Sequence, residues 1–527
     1  MKIHLPLRRL VLASTLLLPL SSTLSLLHAQ SGSPTSLDEG QNCISIMVGR
    51  LASGDGSVIT SHTCDGKYRS WTYMEPAADH PRGAVHEVRR GTMKTSFHTD
   101  TTGVKVAGTI PWEGHDWAYL NSGYPCLNEK QLGIGETTFG GPDTLRSDNG
   151  LFTIEELERV ALQRCTTARE AIIYMGNLAR TYGYADAGEC LTVADPQEVW
   201  QFEILGAGKG KSDAVWAARR IPDGEVGVSA NIPRIGTLDR SDPANCLCSD
   251  NVEEVAHAYG LWDGMGEFVF WRAFNCAYGR GRNFRDREFY ILSTLAPSLG
   301  LRDDMDELPF SVKPDESVDV RRVMELLRST YDGTPYDICS NLKTRSGDIS
   351  PVANPWMTND WKETLNTLSP GAVPNRRLVA VAWCSYSTVI QLRSSLPDCV
   401  GGICWYAVDN PGQSPRIPIF CGNSTVPEPL WRCGQNNYWP DCALWTFRRA
   451  NRLATLSWHA NREHFLGEVK RLEDENFAGL DALEEACKST TEPAKLLDAY
   501  SERAYRQAAD AWGELESGYW LQYWKGF

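Results

Sequence analysis

The amino-acid sequence predicts a layered α/β (α+β) protein that is built on antiparallel sheets and carries a helical C-terminal extension. Three observations support this prediction: an early run with the period of a β-strand, two helical patterns in succession, and a series of strands joined by short connections. Parallel strands need crossovers of about a dozen residues or more, so short connections indicate antiparallel pairing. Strands, then paired helices, then strands again are typical of stacked sheet and helix layers.

The first predicted strand begins abruptly at Cys43. Ile44, Ile46 and Val48 occupy every second position, which is the period of a strand. A Gly-Asp-Gly turn at residues 54–56 leads into a second apolar run at residues 57–61. This order predicts a β-hairpin at the start of the folded chain.

Two helices and a further set of strands are predicted next. Thr153 with Glu156, and then Thr167 with Glu170, have the spacing of capping boxes in front of apolar residues with helical period. The predicted strands that follow are residues 191–194, 199–204, 215–219 and 226–229. Near the C-terminus, helix-forming residues dominate residues 453–468, 479–488 and 492–514.

The N-terminus has the order of a secretory signal peptide. Basic residues precede an apolar run, and small Ala29 follows it. Residues 30–42 are rich in Ser, Gly, Pro and acidic residues, so we interpret them as a propeptide or tether. The predicted organisation is a signal peptide at residues 1–29, a propeptide or tether at 30–42, a main domain at 43–450 and a helical extension at 451–527. We expect the mature protein to be secreted or lumenal.

The net charge of the chain disfavours some classes of binding partner. The formal net charge is −14 over 527 residues, which disfavours nucleic acids and anionic lipid surfaces as partners. After the N-terminal run no stretch is long and apolar enough to span a bilayer, so we expect no stable membrane insertion after signal cleavage. The oligomeric state stays open.

The sixteen cysteines suit an oxidising compartment. Close spacings predict disulfide staples whose connectivity cannot be derived from sequence, and the examples are Cys399 with Cys404, and Cys421 with Cys433 and Cys442. Asn423, followed by Ser424 and Thr425, is a glycosylation sequon if the cell is eukaryotic.

Cys43 is the leading candidate for chemistry. It stands where the polar tether ends and the first strand begins, so cleavage before it would free an α-amino group beside a thiol. Such an amine has an ordinary pKa of about 7.7–8.0 and suits general-base work near neutral pH. Judged from the residues alone, a buried structural or disulfide-bonded cysteine is the more common alternative.

An ordered series of segments resembles the cysteine dipeptidase family of N-terminal nucleophile (Ntn) hydrolases, which is related to secernins, penicillin V acylases and bile salt hydrolases. The segments are residues 43–49, 54–58, 62–65, 127–138, 195–204, 228–235 and 401–405. The resemblance implies a four-layer αββα sandwich and hydrolysis of dipeptides by Cys43 after propeptide removal. Two alternatives stay open: an acylase or bile-salt-hydrolase-like amidase, and a non-catalytic secreted protein with Cys43 in a disulfide.

The resemblance also implies roles for other positions. Asp65 matches an aspartate that orients the freed amine, and Asn231 matches an asparagine whose amide stabilises the oxyanion. Thr138 stands where relatives have a second oxyanion asparagine, and Arg287 best fits the site arginine. His62 replaces an arginine three residues before the aspartate, so the charge partner of Asp65 stays open. Without the resemblance, turn positions and a solvated charged face would account for these residues.

Glu136 is the candidate for binding the free ammonium group of a dipeptide. A carboxylate beside the oxyanion region would do so by a charge-assisted hydrogen bond, and a strand-edge carboxylate that faces water is the alternative. The sequence has no HExxH, no Gly-x-Ser-x-Gly and no paired CxxC pattern. We therefore predict neither a metal nor an organic cofactor, and we expect dipeptides or other small amides as substrates.

Overall fold

Antiparallel strands form the framework of the protein. The computed structural model describes residues 42–275 and 282–526, so the predicted signal peptide and all of the predicted propeptide except Asn42 lie outside the described residues. The strands are β1 (Ser45–Val48), β2 (Val58–Asp65), β3 (Tyr73–Glu75), β4 (Ala78–His80), β5 (Val85–Arg90), β6 (Lys105–Pro111), β7 (Gly114–Asp116), β8 (Tyr119–Asn121), β9 (Leu127–Asn128), β10 (Gly133–Gly140), β11 (Gly188–Ala194), β12 (Val199–Gly206), β13 (Ala214–Arg220), β14 (Val226–Ser229), β15 (Cys246–Cys248), β16 (Ser311–Val312), β17 (Cys384–Leu392), β18 (Gly402–Val408) and β19 (Ile417–Phe420).

Helices flank these strands in the described chain. They are α1 (Ile154–Arg164), α2 (Ala168–Tyr182), α3 (Val252–Ala258), α4 (Phe270–Phe274), α5 (Arg282–Leu295), α6 (Val320–Leu327), α7 (Asn359–Leu368), α8 (Asp398–Gly401), α9 (Ala443–Ala454), α10 (Trp458–Ala478), α11 (Leu480–Lys488) and α12 (Pro493–Gln522). None of the helices in the described ranges is both long and apolar enough to cross a membrane.

Two large antiparallel sheets lie face to face. One has seven strands in the order β16-β14-β1-β2-β17-β18-β19, and the other has eight in the order β15-β13-β12-β11-β10-β9-β8-β3. Strands β1, β2 and β17 contact β10 across the interface. Helices α1 and α2 cover the eight-stranded sheet, whereas α5, α6, α9 and α12 pack against the seven-stranded sheet. The layer order is helix, sheet, sheet, helix, so the predicted four-layer αββα sandwich and its helical C-terminal region are confirmed.

The two sheets approach each other closely at Gly135. A Cβ atom on Gly135 would lie 2.2 Å from the backbone oxygen of Ser61, so only glycine permits this separation. Strand β2 is buried on both faces as a result. Its Val58 packs in the core shared with the eight-stranded sheet, whereas Ile59 packs in the core under α5 and α6. The alternating side chains of β2 therefore pack into two different cores, rather than into a core on one face and solvent on the other.

The predicted pairing of consecutive strands holds as far as β13 and then fails. Strands β11, β12 and β13 pair as expected, but β14 leaves this sheet and pairs with β1, where Ser45 lies opposite Ser229. The connection between β13 and β14 is held by the first hairpin, because Leu51 N–H donates to the Asp223 carbonyl at 2.8 Å. The crossing brings the residues that follow β14 to the start of β1.

The two predicted helix caps have different outcomes. The Thr167 hydroxyl accepts from the Glu170 N–H at 3.2 Å, as a capping box requires. Thr153 makes no such bond, and instead the Asp186 carboxylate accepts from the Ile154 N–H at 3.3 Å. A distant acidic side chain has taken over the role of the local cap.

The disulfide staples expected from sequence are not formed. All fifteen cysteines in the described ranges are free thiols, and thirteen of them are buried. Three of the thiols expected in staples, Cys404, Cys421 and Cys442, pack as small side chains in the hydrophobic core instead.

The predicted glycosylation site at Asn423 is buried in the fold. The Asn423 side-chain amide donates to Asp498 at 2.8 Å, and its oxygen accepts from the Phe420 N–H at 2.6 Å. The residue is 5% exposed, so the folded chain leaves the amide nitrogen inaccessible to a glycosyl donor.

Candidate active site

Cys43 lies between the two sheets, two residues before β1. The register of β1 with β14 extends backwards to place Cys43 opposite Asn231. The Cys43 N–H donates to Asn231 Oδ1 at 3.0 Å, and the Cys43 carbonyl accepts from Arg287 at 2.7 Å. Both ends of this residue's backbone are therefore fixed by side chains from distant parts of the chain.

The peptide bond before Cys43 is equally well held. Asn42 and Asp65 form an isolated antiparallel bridge, in which the Asn42 N–H donates to the Asp65 carbonyl at 3.1 Å and the Asp65 N–H donates to the Asn42 carbonyl at 3.0 Å. Cys43 is 1% exposed and Asn42 is 6% exposed. The site is closed to solvent while Asn42 is still attached.

The Cys43 thiol contacts a buried carboxyl pair. Cys43 Sγ donates to Glu136 Oε2 at 3.4 Å, and the Thr138 hydroxyl donates to Glu136 Oε1 at 3.1 Å. Glu189 faces Thr138 across the β10–β11 ladder, and its carboxyl group interacts with that of Glu136. Burial raises the pKa of Glu136 to about 7 and raises that of Glu189 further. Burial therefore makes both carboxyl groups harder to ionise than an exposed carboxyl group.

Burial also controls the thiol. The pKa of Cys43 lies well above its ordinary value because the side chain is desolvated, and the negative charge of Glu136 raises it further. Within the uncleaved chain, the thiol keeps its proton unless a group in contact removes it.

Asn231 connects Cys43 to Thr138, the second oxyanion candidate. The residue takes a left-handed backbone conformation with φ of 63°, which asparagine tolerates better than most residues. Asn231 Nδ2 donates to the Thr138 carbonyl at 2.7 Å, so the side chain spans the two sheets. The turn conformation and the contact with Cys43 are both present in the same residue.

Arg287 lies on α5 and is fully buried. Besides Cys43, its guanidinium donates to the Ala230 carbonyl at 3.0 Å and to Asn231 Oδ1 at 2.8 Å. Burial and the nearby charge of Arg377 lower the pKa of Arg287 to about 9, so it still carries a positive charge at neutral pH. Because Arg287 is fully buried, the alternative that it lies on a solvent-exposed charged face is excluded.

The charge partner of Asp65 is Arg377, which precedes β17. Arg377 donates to Asp65 Oδ2 at 2.8 Å, and both side chains are buried. Burial raises the pKa of Asp65, and the charges of Arg377 and Arg287 offset this only in part. The pair lies directly beside the Asn42–Cys43 peptide bond.

His62 is not that partner. Its Nδ1 lies 2.7 Å from the Glu136 carbonyl, and because a carbonyl only accepts, Nδ1 carries the hydrogen. Burial lowers the pKa of His62 to about 4, so the ring is neutral at pH 7. The ring packs against Tyr124 and Tyr386, with centroids 5.3 Å and 5.7 Å away. His62 therefore positions the Glu136 backbone rather than supplying a charge.

Three of these side chains are close enough to share a metal ion. The ligand atoms of Cys43, His62 and Glu136 lie within 4.8 Å of one another in the described chain. Glu136 Oε2 already accepts a hydrogen bond from the Cys43 thiol.

The structure brings together all the site residues predicted around Cys43: His62, Asp65, Glu136, Thr138, Asn231 and Arg287. Asn423 lies elsewhere, beside α12.

Sequence reasoning missed Arg377 and Glu189. Arg377 follows Arg376 before an apolar run and gives no local signal of burial. Glu189 does give a signal, because it is an acidic residue two positions before the predicted strand at residues 191–194.

The stacked sheets, with a buried cysteine and paired carboxyl, amide and guanidinium groups between them, define a layered α/β hydrolase. The sequence profile of peptidase family C69 matches residues 42–470. The chain therefore belongs to peptidase family C69 and is a peptidase. The profile begins one residue before Cys43.

Curated relatives agree with this assignment. A protein of Latilactobacillus sakei named "Probable dipeptidase" is 26% identical over 422 residues, which cover 76% of this chain and 80% of that protein. A protein of Salmonella dublin with the same name is 25% identical, with 72% of this chain and 81% of that protein covered. "Probable dipeptidase A" of Streptococcus pyogenes serotype M1 is 22% identical, with 78% and 82% covered.

Proposed function

We propose that this peptidase is a cysteine-type dipeptidase that uses Cys43, as the first residue of the mature chain, to hydrolyse the peptide bond of dipeptides. The single observation that carries the proposal is the arrangement of Cys43, with its backbone N–H on Asn231 and its thiol on Glu136. The names of the relatives supply the substrate class.

The proposed mechanism begins with the freed α-amine. Removal of the chain before Cys43 turns its amide N–H into an amine that accepts the thiol proton. Asn231 Oδ1, which already accepts from this nitrogen, keeps the amine in place, and Asp65 lies across the cleaved bond. The thiolate attacks the scissile carbonyl of the substrate, the leaving amine takes the proton, and water then hydrolyses the thioester.

The second hydrogen on Asn231 Nδ2 is the proposed donor to the oxyanion. One hydrogen of this amide is engaged by the Thr138 carbonyl at 2.7 Å, and an amide nitrogen has two. The Thr138 hydroxyl is occupied by Glu136, so a backbone N–H is the better candidate for a second donor.

Glu136 gives the proposed preference for free dipeptides. A dipeptide carries an ammonium group close to its scissile bond, and the carboxylate that contacts the nucleophile is placed to bind it. An N-acylated substrate lacks that charge and would leave the carboxylate without a counterion.

We propose that residues 1–29 direct export as a signal peptide and that residues 30–42 are removed as a propeptide, so the enzyme acts in a secreted or lumenal compartment. The closed site around Asn42, which is 6% exposed, supports an inactive precursor. All fifteen cysteines of the described chain are free thiols, so the cysteines give this proposal no support.

The test compares an unblocked dipeptide with its N-acetylated form, using wild type, Cys43→Ala and Glu136→Gln. We expect wild type to prefer the free dipeptide and Cys43→Ala to be inactive. Glu136→Gln should lower kcat/KM for the free dipeptide far more than for the acetylated one, because the ammonium loses its charged partner. A wild-type preference for N-acylated substrates would instead identify an acylase, and full activity of Cys43→Ala would refute the proposal.

A further inference from the structure

The cleavage that frees the Cys43 amine cannot use that amine as its base. Before cleavage the nitrogen of Cys43 is a peptide nitrogen, and its N–H donates to Asn231 Oδ1 at 3.0 Å. A peptide nitrogen accepts no proton at neutral pH. The inference rests on the proposed function, in which the mature chain begins at Cys43. If the chain splits its own Asn42–Cys43 bond to reach that state, another group must remove the thiol proton.

Glu136 is in contact with that proton. The hydrogen bond from Cys43 Sγ to Glu136 Oε2 is 3.4 Å long, within the range of sulfur donors. Two other titratable side chains nearby, Asp65 and His62, each make a hydrogen bond to a different group. Asp65 accepts from Arg377 at 2.8 Å, and His62 directs its Nδ1 hydrogen at the Glu136 carbonyl. Glu136 is also kept in place by the Thr138 hydroxyl, at 3.1 Å.

The scissile bond is arranged for attack on its carbonyl. The Asn42 oxygen, which would become the oxyanion, already accepts from the Asp65 N–H at 3.0 Å. On the other side, Arg287 holds the Cys43 carbonyl at 2.7 Å. The carbonyl, the nitrogen and the thiol of the reacting unit therefore each have a hydrogen-bond partner within the protein.

We infer that Glu136 is the general base, and then the general acid, of an intramolecular cleavage of the Asn42–Cys43 bond. Glu136 takes the thiol proton, and the thiolate attacks the Asn42 carbonyl carbon. The carbon–nitrogen bond breaks as Glu136 returns the proton to the nitrogen of Cys43. The products are a thioester between Asn42 and Cys43 Sγ and a free α-amine, and one water molecule then hydrolyses the thioester to a carboxylic acid and a thiol. Before maturation, Glu136 thus transfers the thiol proton. After maturation, it binds the ammonium group of the substrate.

The experiment follows self-cleavage of full-length chain made by cell-free synthesis, with intact mass as the readout. The variants are Glu136→Gln and the matched control Glu203→Gln. Glu203 is likewise a fully buried strand glutamate whose pKa burial raises to about 7, but it bonds to the backbone of Arg234 at 2.5 Å rather than to the thiol. We expect wild type and Glu203→Gln to cleave alike and Glu136→Gln to cleave at least about 100-fold more slowly.

Two additions keep the result interpretable. Melting temperature checks folding, and Glu136→Asp, which keeps the carboxyl group but shortens its reach, should cleave at an intermediate rate. Hydroxylamine splits thioesters, so rescue of Glu136→Gln by hydroxylamine would place Glu136 after thioester formation and overturn the inference. Cleavage of Glu136→Gln at the wild-type rate would overturn it as well.

A bypass separates this inference from the proposed function. A removable fusion partner placed directly before Cys43 frees the amine without self-cleavage. If the released chain hydrolyses dipeptides but the full-length wild-type chain never cleaves itself, the inference fails and the proposed function stands. If the released chain is inactive towards dipeptides, the proposed function fails.

Discussion

Loss of the Arg377 guanidinium should destabilise the protein strongly, because it isolates Asp65. The two side chains are 2.8 Å apart and are 3% and 0% exposed, so solvent does not screen either charge. Removing one partner of a buried ion pair costs about 3–5 kcal/mol of unfolding free energy. We therefore expect Arg377→Met to lower the unfolding free energy by about this amount at pH 7.

The free-energy cost of protonating Asp65 sets a similar upper limit on the destabilisation by Arg377→Met. The Asp65 carboxyl can avoid isolation by taking a proton, and protonating a carboxyl of ordinary pKa near 3.9 at pH 7 costs about 4 kcal/mol. Burial already raises the pKa of Asp65, so the real cost of protonation is smaller. The destabilisation should consequently shrink as the pH falls, since Asp65 protonates more readily there.

A double-mutant cycle by urea unfolding tests the prediction. Asp65→Asn combined with Arg377→Met removes both charges, so the double variant should be more stable than the sum of the single effects by about 1–3 kcal/mol. Arg302→Met is the matched control, because Arg302 pairs with Asp304 at 2.8 Å on the surface, where an ion pair contributes at most about 1 kcal/mol. If Arg377→Met costs no more than the control, the buried pair is not what holds Asp65.

Three further predictions concern separate parts of the fold. Asn231→Ala should lower kcat by about two to three orders of magnitude with little change in KM, since the amide is assigned to the oxyanion, and a change in KM alone would place it in substrate binding. Burial raises the pKa of Glu203 to about 7, so the folded state keeps a proton that the unfolded state loses, and stability should fall as the pH rises from about 4.5 to 7. Thermal melts of Glu203→Gln should show a flatter pH dependence than wild type. At pH 8 this variant should be more stable than wild type by up to about 3 kcal/mol. Gly135→Ala places a methyl group 2.2 Å from the Ser61 oxygen and should cost about 1–3 kcal/mol in urea unfolding, whereas an unchanged midpoint would mean that the sheets separate freely.

Local patterns were enough to predict most of the elements. The hairpin that follows Cys43, the helices after Thr153 and Thr167 and the C-terminal helices all formed, because their periodicity and turn residues act over a few residues. The position of β14 could not be predicted in this way. It depends on backbone hydrogen bonds to a hairpin more than 150 residues earlier, and such contacts leave no trace in local sequence.

The residues of the candidate site likewise fall into those that local sequence could predict and those that depend on long-range packing. Cys43, Asp65 and Asn231 were predicted because they lie in segments that resemble a known family, and the structure brings them together. Arg377 is the charge partner of Asp65, which the replacement of the family's arginine by His62 had left open. It was not predicted, because no spacing rule in a sequence indicates a salt bridge across 312 residues. Burial of Glu136 beside Glu189 was also beyond sequence reasoning, because it depends on how closely the two sheets pack.

The intact mass of the active enzyme tests the central claim most directly. If Cys43 is the N-terminal nucleophile, every preparation that hydrolyses dipeptides should contain a chain that begins at Cys43, and its activity should increase in proportion to that species. A chain that retains residues before Cys43 and shows full activity would contradict the account, because its peptide nitrogen could not serve as the base.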